Sequence, residues 1–98
     1  MLKKRQLSQG KGCEVTFILP PAISAKSATL VGDFNNWDKD ATPMSQAKDG
    51  SWQVKLKLEL GQEFQYRYFV NGSEWHNDWE ADKYVMHPYG GENSVVVT

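Results

Sequence analysis

Two sets of residues in this chain are of types that do chemistry. The first is acidic: Glu74, Asp78, Glu80 and Asp82 lie close together. Acid–base hydrolysis of a glycosidic bond needs two carboxylates roughly 5 to 9 Å apart. One of them must also sit in a dry cleft that raises its pKa. The segment around these residues is polar, so they read as solvated loop charges. His76, Asp78, Asp82 and His87 come nearest to a metal set, but their spacing fits no zinc pattern and Cys13 lies far away in sequence. No metal and no cofactor are expected. No nucleophile elbow supports a Ser/His/Asp triad. Gly90-Gly91 precedes a strand pattern rather than a helix, so it is not a phosphate loop.

The second set is aromatic, with four Trp, four Tyr and four Phe. Trp52 falls on the apolar parity of a strand pattern and reads as core. Trp37, Trp75 and Trp79 do not: Trp37 lies between Asn36 and Asp38, Trp75 follows the turn Asn71-Gly72, and Trp79 lies between Asp78 and Glu80. A small domain rarely leaves several indoles outside its core without use. A pyranose has a C–H face that lies flat on an indole and a rim of hydroxyls that seeks polar partners. Trp37 and Trp75 can supply platforms, and Arg67, Lys39 and Asn93 can supply hydrogen bonds. The competing reading is that each indole merely caps an end of the fold.

These residues need a scaffold, and the patterning supplies strands. Residues 13–19 alternate, with Cys13, Val15, Phe17 and Leu19 on one face, and Pro20-Pro21 ends the run. Residues 28–31 form a second strand. Gly32-Asp33-Phe34-Asn35-Asn36-Trp37-Asp38 is loop chemistry. Trp52, Val54, Leu56, Leu58 and Leu60 share one parity, which a helix cannot give. Phe64, Tyr66, Tyr68 and Val70 face one way, while Gln65, Arg67 and Phe69 face the other. Asn71-Gly72 is a hairpin turn with a short return near residues 74–76. Residues 77–87 read as a polar loop and 93–98 as a closing strand. The prediction is all-β: a single immunoglobulin-like (early-set) antiparallel β-sandwich over residues 13–98, preceded by a flexible segment at 1–12. Val15, Phe17, Trp52, Val54, Leu56, Phe64 and Tyr66 should lead its core.

The chain has 98 residues, enough for one domain and too few for an amylase-type barrel of about 250. Its formal net charge of −1 argues against nucleic acid or an acidic membrane as partner. Its single cysteine fits a reducing compartment. The basic start lacks the apolar run of a secretory signal, so a cytoplasmic location is expected.

Taken in order, Gly32-Asp33-Phe34-Asn35-Asn36-Trp37, then residues 65–72, then Trp75-His76-Asn77-Asp78, then Tyr89-Gly90-Gly91-Glu92-Asn93-Ser94-Val95-Val96 resemble carbohydrate-binding module family 48. That family includes the glycogen-binding domain of the AMP-activated protein kinase β subunit and the N-terminal domains of isoamylase and branching enzymes. The resemblance runs from about residue 13 to 98. It implies a non-catalytic module for α-1,4-linked glucan (glycogen, starch or maltodextrin), of the kind that accompanies glycoside hydrolase family 13 enzymes. By resemblance, Trp37 and Trp75 are the stacking residues, and Arg67 stands where kinase-type domains carry lysine. Asn93 bonds hydroxyls, and Tyr89 replaces a leucine beside the sugar. Gly91 stands in place of a threonine, so that contact should be missing. Ser73-Glu74 lengthens the hairpin by one residue, and Trp79 stands where proline is expected. Two other roles stay open: a protein-interaction adaptor of the same fold, because many members have lost sugar binding, or an accessory domain of a glucan hydrolase or branching enzyme.

Overall fold

The computed structural model describes residues 1–7, 10, 12–86 and 91–98. The alternating runs become β1 (Leu2–Gln6), β2 (Cys13–Leu19), β3 (Ala28–Gly32), β4 (Ser45–Gln46), β5 (Trp52–Leu58), β6 (Glu63–Val70), β7 (Glu74–His76), β8 (Lys83–Met86) and β9 (Glu92–Val97). They form two antiparallel sheets, ordered β1-β2-β5-β4 and β3-β6-β9-β8, with β7 pairing beside β6. The described residues hold no α-helix; Pro21–Ile23 and Asp33–Asn35 are three-residue 3-10 turns. The expected β-sandwich is therefore the fold.

Period two decides what the sandwich buries. Val15, Phe17 and Leu19 of β2 meet Leu30 of β3, Tyr66, Tyr68 and Val70 of β6, and Val96 of β9, all fully buried. Phe17 meets Tyr66 edge-on at 5.0 Å, and Tyr66 meets Tyr68 edge-on at 5.9 Å. Such pairs add about 0.5–1.5 kcal/mol each beyond their area. Trp52, Val54, Leu56 and Phe64 hold the expected parity but are only partly buried against this core. On its outer edge β5 pairs with the two-residue β4, through Ser45↔Gln53 and Gln46↔Trp52.

Three segments depart from the sequence reading. The first residues are not a loose lead-in: β1 pairs along β2 from Leu2↔Phe17 to Gln6↔Cys13. Leu2 packs on the core, and Lys4 Nζ reaches Asp82 Oδ2 at 2.8 Å and the Val97 carbonyl at 3.1 Å. Basic residues therefore line an edge strand instead of fraying. The polar run 77–87 contains a strand, β8, pairing with β9 from Lys83↔Val95 to Met86↔Glu92. β4 was likewise hidden in polar sequence.

Gly32 fixes how the chain leaves β3. A Cβ there would lie 2.5 Å from the Gln65 carbonyl oxygen. Only glycine lets β3 approach β6 this closely just before the loop that carries Trp37.

Candidate carbohydrate-binding face

Because Tyr66 and Tyr68 point into the core, their neighbours Gln65, Arg67 and Phe69 point out of the second sheet. The register then assembles a face. Phe69 is opposed by Thr29 on β3 and by Trp75 on β7, Arg67 by Val31, and Gln65 by Val95 on β9. Asn93 shares the parity of Val95. Residues scattered along the sequence thus fall on one surface.

At one end of it, Trp75 lies against Phe69 with ring centroids 4.7 Å apart and planes tilted by 48°. Trp75 keeps 41% of its surface exposed. The Lys39 ammonium sits 5.0 Å from the Phe69 ring centre and 5.5 Å from that of Trp75. This cation–π contact draws the loop after β3 over the aromatic pair. The longer hairpin keeps Trp75 in register: Val70 pairs with Glu74, and the Asn71 carboxamide oxygen accepts from the backbone of Lys26 at 2.7 Å.

At the other end, Trp37 is half-buried in that same loop. Its indole N–H donates to Asp33 Oδ1 at 2.9 Å, and Asp33 Oδ2 accepts from the Gln65 backbone at 2.8 Å. From Gln65 to Phe69 is four steps along β6, so the two strand positions to which the indoles are tied lie about 13 Å apart.

Between them lie Arg67 and Asn93. Arg67 Nη2 donates to the Glu92 carbonyl at 2.8 Å, while its Nε is buried with no partner among the described residues. Asn93 is 3% exposed; its Nδ2 donates to Gln65 Oε1 at 2.9 Å, and its Oδ1 is buried with no partner among the described residues. Asn77 braces this region by donating to the Glu92 carbonyl at 2.6 Å and accepting from Ser94 Oγ at 3.0 Å. Gly91 explains the missing threonine: it holds φ +74°, and a Cβ there would come within 3.4 Å of Arg67 Nη2. Tyr89, the remaining expected site residue, lies outside the described residues.

The acidic set resolves differently from its sequence reading. Asp78 is not a solvated loop charge, being 2% exposed. It accepts from the hydroxyls of Tyr66 at 2.8 Å and Tyr68 at 3.1 Å, and pairs with the Met1 ammonium. Burial first, and then the neighbouring phenol and carboxylate, push the Tyr66 hydroxyl well above the usual tyrosine range; burial and Asp78 do the same for Tyr68. Asp82 is tied to Lys4 and to the Val97 backbone N–H at 2.7 Å. These two carboxylates fasten the 77–82 segment to the sandwich. Trp79 is 64% exposed on that segment, outside the strands that carry the aromatic face.

Sequence reasoning missed Phe69, Asp33, Asn77 and Gln65. Phe69 had a visible signal, since it shares the outward parity of Arg67. The other three act through hydrogen bonds to segments that only the register brings within reach.

A family model described as carbohydrate-binding module 48 (isoamylase N-terminal domain) matches residues 11–90. The chain is similar to the 1,4-alpha-glucan branching enzyme GlgB of Aquifex aeolicus, 39% identical over 74 residues, which is 74% of this chain and 11% of that protein. It is similar to the enzyme of the same name from Lactobacillus acidophilus, 33% identical over 78 residues, 78% of this chain and 12% of that protein. A 40-residue stretch is 48% identical to the 1,4-alpha-glucan-branching enzyme of Emericella nidulans, covering 41% of this chain and 6% of that protein. The chain thus spans about a ninth of the length of the first two relatives.

Proposed function

The chain belongs to the carbohydrate-binding module 48 family, and from that premise we propose that it binds α-1,4-linked glucan on the outer face of its second sheet and carries out no chemistry on it. The observation that supports this most is the Phe69–Trp75 pair, its Trp75 exposed, with the Lys39 ammonium close to both rings. In this reading a glucose ring lays its C–H face on Trp75, and Lys39 bonds its hydroxyls. Trp37 offers a second platform further along the face. Arg67, partly exposed between the two platforms, offers its guanidinium to glucan hydroxyls, and Asn93 lies buried beside it with its Nδ2 on Gln65 Oε1.

The site is a shallow surface, and sugar hydroxyls exchange water for protein partners at little net gain. Affinity should therefore be modest. The spacing of the platforms makes length matter, because both are engaged only by a chain of several glucose units. Titration calorimetry tests this with maltose, maltoheptaose and cello-oligosaccharides. Maltoheptaose should bind most tightly; equal or tighter binding of the cello-oligosaccharides contradicts the proposal. Release of reducing ends from amylose by the purified chain contradicts the absence of catalysis.

The names of the relatives favour a compatible second reading, that the module serves as an accessory domain of a branching-type enzyme. The exposed Trp79 and Met86 favour the adaptor alternative. Failure of every α-glucan to bind, with the chain folded, selects the adaptor.

A further inference from the structure

Trp37 adopts φ +57°, directly after Asn36 at the same φ. Asparagine tolerates left-handed backbone, because its short side chain bonds locally; a tryptophan, with its Cβ and bulky ring, does not. Two such residues in succession persist only when the surroundings over-determine them, and such strain clusters where a side chain must be presented.

The contacts around the loop divide into two groups. One holds its base. The Trp37 backbone N–H donates to the Gly32 carbonyl at 2.9 Å. The Asn35 carboxamide accepts from Gly32 N–H at 3.1 Å and donates to the Leu30 carbonyl at 2.9 Å and Thr42 Oγ1 at 3.0 Å. These bonds would be the same for any residue at position 37. The other group consists of Asp33, which alone among the hydrogen-bonding partners of the loop reaches the indole itself. One of its oxygens takes the indole N–H and the other takes the Gln65 backbone N–H, so the ring is tied to β6 through a single carboxylate. With its one donor engaged, the indole can offer a ligand only its π surface.

We infer that Asp33 is a positioning residue that fixes the Trp37 ring as a stacking platform for glucan. The inference rests on the glucan reading above, and it assigns the orientation of Trp37 to a side chain that does not itself touch sugar. Without the carboxylate the ring loses its tie to β6 and samples other rotamers while the base of the loop stays held. The binding-competent orientation is then only partly populated, and apparent affinity falls by that fraction.

The test is calorimetric titration of maltoheptaose into the wild type, Asp33→Ala, Asp33→Asn, Trp37→Phe and the Asp33→Ala/Trp37→Phe double variant. Asp33→Ala should weaken binding by about five- to tenfold. Asp33→Asn, which keeps a carbonyl oxygen for the indole, should recover most of that loss. In the Trp37→Phe background, which has a ring but no N–H donor, Asp33→Ala should change affinity by less than about twofold. An equal loss in both backgrounds overturns the inference, because Asp33 would then act through β6 alone. Unchanged binding by Asp33→Ala overturns it too. A second readout separates this inference from the glucan reading. The Trp37 indole N–H resonance, identified by its disappearance in Trp37→Phe, should shift and lose protection from solvent exchange in Asp33→Ala. If no variant, wild type included, binds maltoheptaose, the glucan reading fails. The resonance then still decides whether Asp33 holds the ring, and an unmoved resonance overturns that as well.

Discussion

Replacing Trp75 with alanine should separate binding from folding. The side chain is 41% exposed, so most of what it contributes to stability comes from its neighbours. Removing it abolishes the 4.7 Å pair with Phe69, worth about 0.5–1.5 kcal/mol. It also removes the contact with Lys39, worth about 0.5–1 kcal/mol at an exposed site. Together these come to about 1–2.5 kcal/mol. In a chain of 98 residues each kcal/mol moves Tm by about 4–8 °C, so the melt should fall by about 4–20 °C while staying cooperative. Binding should suffer more. Truncating a central aromatic anchor costs about 2 kcal/mol or more, which is roughly a thirtyfold loss. Trp75→Phe keeps a ring on Phe69 and should lose far less. The assays are a thermal melt and mobility retardation in a native gel containing glycogen. Unchanged retardation of Trp75→Ala would refute the stacking argument. Loss of the folded state would refute the claim that this ring lies outside the core.

Asp78→Ala leaves the Tyr66 and Tyr68 hydroxyls without their carboxylate acceptor and should cost about 2–4 kcal/mol in urea unfolding; a loss under about 1 kcal/mol would mean water replaces the carboxylate. Trp52→Ala should cost about 3 kcal/mol yet leave the glucan affinity of the folded fraction unchanged, since Trp52 lies on the other sheet; calorimetry with maltoheptaose checks it. The folded state disfavours the ionised form of both buried tyrosines, so their stabilising effect is complete below the unfolded pKa of about 10 and declines as pH rises beyond it. Melts between pH 8 and 11.5 should show a falling Tm above about pH 10, and a flat profile would contradict the burial of these phenols.

Much of the architecture was legible because alternation is a strong signal where one face is dry. β2, β3, β5, β6 and β9 all announce themselves through residues such as Val15, Leu30, Leu56, Tyr66 and Val96. β1 and β8 were not legible, because each is an edge strand. Lys3, Lys4 and Arg5, or Lys83 beside Tyr84, carry no apolar alternation when one flank faces water. Asp78 was misread for a related reason: its neighbours Trp79 and Glu80 are exposed, and nothing local reveals that Tyr66 and Tyr68 converge on it. For the face, residue type and parity pointed to Trp37, Arg67, Trp75 and Asn93 before any coordinates. What sequence could not supply was the bracing, because Asp33, Asn77 and Gln65 work through bonds between segments distant in the chain.

The central claim is that one sheet face takes up glucan, and an ¹⁵N–¹H titration of the wild type with maltoheptaose tests it most directly. The signals of Trp37, Arg67, Phe69, Trp75 and Asn93 should move together along one saturating curve. Those of Thr16, Lys55 and Lys57 on the outer side of the opposite sheet should stay still. Absence of any movement at saturating sugar, or movement confined to the opposite sheet or to Trp79 and Met86, would contradict it.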